Sequence, residues 1–399
     1  MTYEELSAWL RLALTPGVGN DKARELLAAC GLPGAIFAQA ESALAQLASP
    51  KQVKGLLTPP PELAEQLERT WRWLNESGPE GAPRRLLTLG DPLYPAGLLN
   101  MEDPPLMLFT LGAPGLGPDS LARSLAVVGS RNPTPQGAAN ARHFAKALAQ
   151  AGLTIVSGLA LGVDGAAHEG ALEGMSADGL FTTGATVATL ATVAVVGTGL
   201  DRVYPAQHRE LAHRIAQRGL LVSEYLLGTP PLPANFPKRN RLIAGLAQGT
   251  LVVEAALKSG SLITARLTAE QGKEVFAIPG SIHTTQSRGC HALIRQGAKL
   301  VESAQDVLEE LKLENLVAHD ETEAPETGET GETGGMDGRS VAESVLLHAL
   351  GFDPVGLDAL QSRCGLDAAS LQAQLLGLEL AGHVARLPGG LFQRLVSPA

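Results

Sequence analysis

Long apolar runs, paired cysteines and glycine-rich nucleotide loops are all missing from this 399-residue sequence, and each absence removes a class of function. No stretch reaches the roughly 20 apolar residues of a membrane span. The opening "MTYEELSAWLRLAL" carries acids where a secretory leader would carry bases, so a cytoplasmic protein without a membrane partner is expected. Cys30, Cys290 and Cys364 lie far apart without CxxC or metal-ligand spacing, which argues against a disulfide framework or zinc site and leaves them as buried fillers. The loop after "LAVVG" at 125 is neither a Walker A loop nor GxGxxG. An excess of positive charge is missing too: the net charge is −10, which counts against nucleic acid as a partner unless the charge is unevenly placed.

It is unevenly placed. Residues 314 to 337 hold eight acids and no Lys or Arg around the near-repeat "ETGETGETGG", a composition that cannot bury enough apolar surface to fold. Residues 120 to 312, in contrast, count 18 Lys and Arg against 14 Asp and Glu. The middle of the chain is its basic part, and an acidic disordered linker over 313–338 sets it apart from a C-terminal module at 339–399.

In that middle part, short β-branched apolar runs alternate with helical segments: "LAVVG" at 125, "LTIVSG" at 153, "TVAVVGTG" at 192, "LLVSEY" at 220, "TLVVEA" at 250, "EVFAIPG" at 274 and "KLVES" at 299. This pattern predicts an α/β fold, a doubly wound parallel sheet covered on both faces, with ligands beyond the carboxyl ends of the strands. Residues 1 to about 80 read as a small all-α module. Leu6, Leu10, Ala13 and Leu14 share a helical face, "TPGVGN" turns the chain, and Asn20 or Asp21 is placed to cap the next helix. That turn resembles a helix-hairpin-helix, which offers backbone N–H groups to a DNA phosphate; a plain connector between packed helices is the preferred reading. Residues 84 to 118 read as a Pro- and Gly-rich join. The C-terminal module has a winged-helix pattern whose second helix, from Asp367 to Ala381, contains no Arg, Lys or Asn. A protein-binding or regulatory role is therefore favoured over duplex recognition.

Two loops carry the chemistry. After "LAVVG" come Ser130 and Arg131, followed by a helix beginning in "PQGAANARHF" whose N-terminus would face an anion held there; a structural loop with an exposed Arg is the competing reading. In "NFPKRNRLIAGL" three cations, Lys238, Arg239 and Arg241, crowd a predicted helix start, where the macrodipole disfavours cations unless an added anion joins them. The alternative is that Arg239 or Arg241 turns inward toward Glu224 or Glu254. Asp164 and His168, four residues apart, could be two metal ligands, but no third is apparent, so helix capping by Asp164 with a hydrogen-bonded His168 is favoured.

The ordered motifs "VVGSRNP", "SGLALGVDGAAHEGAL", "VVGTGLDRVYP", "FPKRNRLIAGLAQGTLVVEAALKSGSLITARLTAEQGKEVFAIPG" and "SRGCHALIRQGA" resemble the DprA family, the DNA-processing proteins of bacterial transformation. The resemblance implies an extended Rossmann-like domain over 84–312, preceded by a helix-hairpin-helix or SAM-like domain and followed by a winged helix. It implies sequence-independent single-stranded DNA binding, a homodimer, loading of the RecA recombinase, no cofactor and no catalytic reaction. Motif by motif, Gly129, Ser130, Arg131, Lys238, Arg239, Asn240 and Arg241 would face DNA, with Phe236 a lesser member. Two departures stand out: about seventeen residues, "MSADGLFTTGATVATLA", where the family has a short turn, and Thr284 and Thr285 where it often has Asn-Pro. The rival reading is a nucleotide-binding phosphoribohydrolase on a related fold, with Glu254 stabilising an oxocarbenium ion; against it, "QGTLVVEAA" lacks a preceding Pro-Gly-Gly.

Overall fold

All seven apolar runs of the middle part become strands because each is flanked by a helix that covers one face. In the computed structural model, which describes residues 1–113, 121–175, 190–313, 341–351, 354–387 and 389–395, they form β3 (Ser124–Val128), β4 (Thr154–Ser157), β5 (Thr192–Val195), β6 (Leu220–Ser223), β7 (Gly249–Val252), β8 (Glu274–Ala277) and β9 (Lys299–Leu300). These strands pair in parallel in the order β6-β5-β4-β3-β7-β8-β9. The order reverses at β3, so the chain leaves to one side through β4 to β6 and returns to the other through β7 to β9. The crevice between the carboxyl ends of β3 and β7 is the topological switch point, where doubly wound sheets bind ligands. The 176–191 insertion, apart from Leu190 and Ala191, and the 313–338 linker beyond Leu313 lie outside the described residues.

The stretch read as a Pro- and Gly-rich join proves to be part of the sheet. β1 (Arg84–Thr88) and β2 (Met107–Gly112) form an antiparallel pair, and β2 continues antiparallel onto β6, so the sheet has nine strands. The prolines and glycines sit between the two strands and masked their short apolar runs. β2 is buried along its whole length, because the Leu63–Asn75 helix packs on it: Trp73 meets Phe109 edge-on with centroids 5.9 Å apart. Through this contact the N-terminal helices and one face of the sheet share a continuous core running from Leu6 and Leu26 to Phe109 and Ile215. The first hairpin turns at Gly17, whose φ of +79° is the left-handed conformation glycine tolerates. The next helix, Asn20–Cys30, is capped by Gly19 and not by the expected Asn20 or Asp21 side chain.

The C-terminal module has its own core of Leu346, Leu360, Leu371, Leu375 and Phe392. Two strands, β11 (Val384–Leu387) and β12 (Leu391–Arg394), form the wing, with β10 (Val355–Gly356) on the far side of β12. Asp367 caps the Ala368–Leu380 helix through the N–H groups of Ala369 and Ser370. Of the cysteines, Cys290 is buried, while Cys30 and Cys364 are half-buried.

Two stability predictions follow from these cores. Deleting residues 314–399 removes a separate core, so thermal unfolding of the remainder should keep its midpoint and lose only the transition of the winged helix; a broad shift of the main transition would show that the cores are coupled. His168 is fully buried, its Nδ1 within 2.7 Å of Thr192 Oγ1, and burial lowers its pKa to about 3 from 6.5, helped by His208 and Arg239. The unfolded chain binds this proton below pH 6.5 and the native state does so only near pH 3, so stability falls as pH drops through that window. Denaturant titrations at pH 8 and pH 5 should differ by about 2 kcal/mol from this group alone, and His168→Gln should remove that part of the difference.

Candidate nucleic-acid interface

At the switch point a cleft of about 450 Å³ opens between the Gly129-Ser130-Arg131 loop after β3, the first turns of the Asn235–Leu246 helix and the loop that leads from β7 into the Ser261–Glu270 helix. The cleft therefore brings together the two loops that the sequence singles out. Its floor is built by one side chain. Arg239 is 3 % exposed; its Nη1 donates to the Val195 carbonyl at the end of β5, and its guanidinium lies flat on Gly158 at the end of β4, where any Cβ would collide with it. Asp164 faces it from the next helix. Burial lowers the Arg239 pKa to about 10 and raises that of Asp164, and each partner's charge opposes the other's shift.

Asp164 does not cap its helix as expected. Gly162 is the N-cap, and Asp164 Oδ2 instead accepts from the N–H groups of Gly158 and Ala160 at 3.2 and 3.3 Å, folding the preceding loop toward the cleft. No group of three or more metal-ligating side chains occurs among the described residues.

The three crowded cations have three different fates. Arg241 turns inward: its Nη2 donates to Glu224 at 2.5 Å and Asp103 at 3.3 Å, with only 13 % of its side chain exposed. Glu224 was the acid anticipated for such pairing, whereas Glu254 takes no part in it. Arg239 is the buried floor just described. Only Lys238 is exposed, and it makes no hydrogen bond or ion pair among the described residues. Neither Arg239 nor Arg241 thus presents a free guanidinium to solvent. The helix also begins earlier than its apolar pattern suggests, at Asn235, with Pro237 in its first turn. The cations consequently stand in the second turn, where the dipole penalty is smaller.

The helix after Arg131 already holds an anion, and it belongs to the protein. Thr134 caps the Pro135–Gln150 helix, and Glu254 accepts from the Thr134 N–H at 2.9 Å and its hydroxyl at 2.6 Å. That carboxylate packs on Gly137 in the first helical turn, so it fills the seat expected for an external anion. Ser130 Oγ accepts from the Asn132 N–H at 3.1 Å, leaving Arg131 exposed above the cleft. Asn240 lines the cleft and donates to the Gly260 carbonyl at 3.2 Å, fixing the loop before the Ser261–Glu270 helix. That helix is preceded by Gly260, and its first N–H groups are taken locally: Ser261 donates to Ser259 Oγ at 3.4 Å, Leu262 to the Ser259 carbonyl at 3.2 Å and Ile263 to the Gly260 carbonyl at 3.1 Å.

Residues outside the sequence-derived set complete the rim. Lys258 is exposed and unpaired among the described residues, and Gln286 donates to the Asn132 carbonyl at 3.0 Å. Arg131 stacks over Phe236 at 5.5 Å, and Tyr204, 46 % exposed, tilts against the other part of that ring at 5.5 Å. Tyr204 lies in the motif "VVGTGLDRVYP" and Lys258 in "ALKSGSLITA"; both motifs were visible, but only the fold aims them at one place.

The fold is a doubly wound, Rossmann-type sheet whose switch-point cleft gathers the exposed cations Arg131 and Lys258 beside the rings of Phe236 and Tyr204. Residues 85–312 match the family DNA recombination-mediator protein A, and residues 336–390 match the DprA winged helix domain. The chain is 40 % identical to Protein Smf of Escherichia coli, over 82 % of this chain and 80 % of that one. It is 45 % identical to the DNA processing protein DprA of Streptococcus pneumoniae, over 56 % of this chain and 72 % of the relative. The solved structure of the Streptococcus pneumoniae protein superposes with a TM-score of 0.61 at 35 % identity, covering 78 % of this chain and 98 % of that one. The chain belongs to the DNA recombination-mediator protein A family.

The inward cations should reveal themselves as structural. Arg241→Ala leaves the buried Glu224 without its arginine and Asp103 with Arg24 alone, and breaking a buried pair from one side costs about 3–5 kcal/mol. Chemical denaturation should show a loss of that order for Arg241→Ala and almost none for Lys238→Ala.

Proposed function

We propose that this protein binds single-stranded DNA along the switch-point cleft without reading its sequence and passes the strand to the RecA recombinase during DNA uptake and recombination, acting as a cytoplasmic homodimer with no cofactor and no catalytic step. The observation that carries the reading is the convergence of Arg131, Phe236, Tyr204 and Lys258 at one rim. Unpaired cations meet backbone phosphates, and exposed rings accept a base of any identity by stacking, which is how single strands are held without hydrogen-bond readout. Lys238, one residue past the cleft-lining Pro237, extends the cationic edge. The names carried by relatives, a recombination mediator and DNA processing proteins, agree with transfer of a strand to a recombinase. The acid-free, base-free surface of most of the Ala368–Leu380 helix, whose sole charge is Glu379, suits a protein partner better than duplex DNA.

A hydrolase would need Glu254 free beside a sugar. Its two oxygens are spent on Thr134, which favours the binding reading.

Arg131→Ala should weaken binding to every strand composition, while Arg131→Lys should keep part of the affinity, because it preserves charge and loses the bidentate fork. The triple substitution of Arg131, Lys238 and Lys258 by Ala should flatten the log–log salt slope by about 0.7 per lost contact. Affinity in the intact protein should climb with strand length over about 4 to 16 nucleotides. An unchanged salt slope in the folded triple variant, or release of free base from a nucleotide, would overturn the reading.

A further inference from the structure

Past Lys238 a second crevice opens, of about 260 Å³, that is not part of the switch-point cleft. Two modules build it. Val18 and Asn20 of the first glycine hairpin form one side, Met107 and Tyr225 of the sheet edge form the other, and Lys238 stands exposed on its rim. Phe236 and Pro237 line the first cleft and Lys238 lines this one, so consecutive residues of one helix border both.

The crevice has the chemistry of a nucleotide seat. Its lining is mixed, with Ala13 and Leu226 supplying apolar surface beside the polar groups of Asn20, Tyr225, Thr229 and Lys238. Glu224 lines its floor. That side chain is only 7 % exposed, its Oε2 takes Arg241, and its Oε1 has no hydrogen-bond partner. A buried acceptor without a donor is costly, and every base carries an N–H donor on its Watson–Crick edge, the edge proteins use when they hold unstacked bases. On the opposite wall, the Asn20–Cys30 helix starts with no side-chain cap. The hairpin is held at fixed distance from the sheet: Arg24 donates to Asp103 at 3.3 Å and to the Glu102 carbonyl at 2.9 Å, and Asp103 in turn takes Arg241. The nearby acids Asp21, Asp103 and Glu224 are each paired with an arginine, and Lys238, whose charge acts on the buried Glu224 from a distance, makes no direct ion pair among the described residues.

We infer that this crevice between the N-terminal hairpin and the sheet is a second nucleotide seat for the same single strand, holding the base beside Asn20 and its phosphate on Lys238, so that the N-terminal module is part of the DNA footprint. The inference rests on the single-strand reading above.

The test uses the full chain and oligothymidine strands of graded length. Asn20→Glu adds a charge facing the crevice at the first helical position, where an acid favours the helix and preserves the fold; Asn20→Gln is the neutral control. Short strands that fill only the first cleft should bind wild type and Asn20→Glu equally. Strands long enough to pass Lys238 should bind Asn20→Glu on the order of tenfold more weakly, the worth of about one stacked base, and Asn20→Gln normally. A photoreactive 5-iodouracil in the long strand should cross-link to the peptide bearing residues 16–20. Equal affinity at every length with no such cross-link, or an equal loss at every length, would overturn the second seat. Arg131→Ala run in parallel separates the two claims: if it weakens all lengths while Asn20→Glu changes none, the single-strand reading stands and the second seat falls.

Discussion

Everything at the functional face depends on the buried guanidinium of Arg239. It ties the carbonyl end of β5 to the glycine at the end of β4 and answers Asp164, which holds the loop leading into the helix beyond β4. Three chain segments that diverge from the sheet are thereby fixed around one charge. A charge this deep needs several partners to offset its desolvation, and the fold supplies a carbonyl, a carboxylate and a side-chain-free glycine. The rings and cations of the rim are positioned by that assembly, since Phe236 lies three residues before Arg239 on the same helical face.

A second ionic chain connects what the sheet alone would leave loose. Arg24, Asp103, Arg241 and Glu224 run from the N-terminal helices through the segment between β1 and β2 to the strand end after β6. The cations of one short motif are thus divided among three tasks: one exposed, one supporting the cleft, one joining modules. Sharing a core with the sheet, the N-terminal helices are a wall of the molecule and not an appendage.

The parallel strands β3 to β8 were legible because each falls in an apolar run, a pattern produced by burial on both faces, whereas β9 is an exposed strand at the sheet edge. β1 and β2 were not, since their runs are short and the intervening Pro and Gly dominate the local signal. The loops of the site were legible as positions, Ser130-Arg131 and Lys238-Asn240, but the direction of each side chain was not. Whether Arg239 and Arg241 face solvent depends on Val195, Asp164, Glu224 and Asp103, residues up to 138 positions away. Periodicity carries no information about such distant partners. For the same reason the capping of the helix after Arg131 by Glu254, 120 residues removed from Thr134, could not be anticipated, and Tyr204 and Lys258 acquire meaning only when the fold sets Tyr204 against Phe236 and Lys258 in the cleft that Phe236 lines.

The carboxylate of Glu254 at the start of the Pro135–Gln150 helix has a kinetic consequence. Because Glu254 fills the anion seat at this helix start from within, a phosphate chain bound as proposed above would ride along the rim, on many shallow contacts in place of one deep anchor. Such a strand would detach one residue at a time, with a small barrier at each step, so that a competing binder would peel it away progressively without waiting for the whole strand to let go.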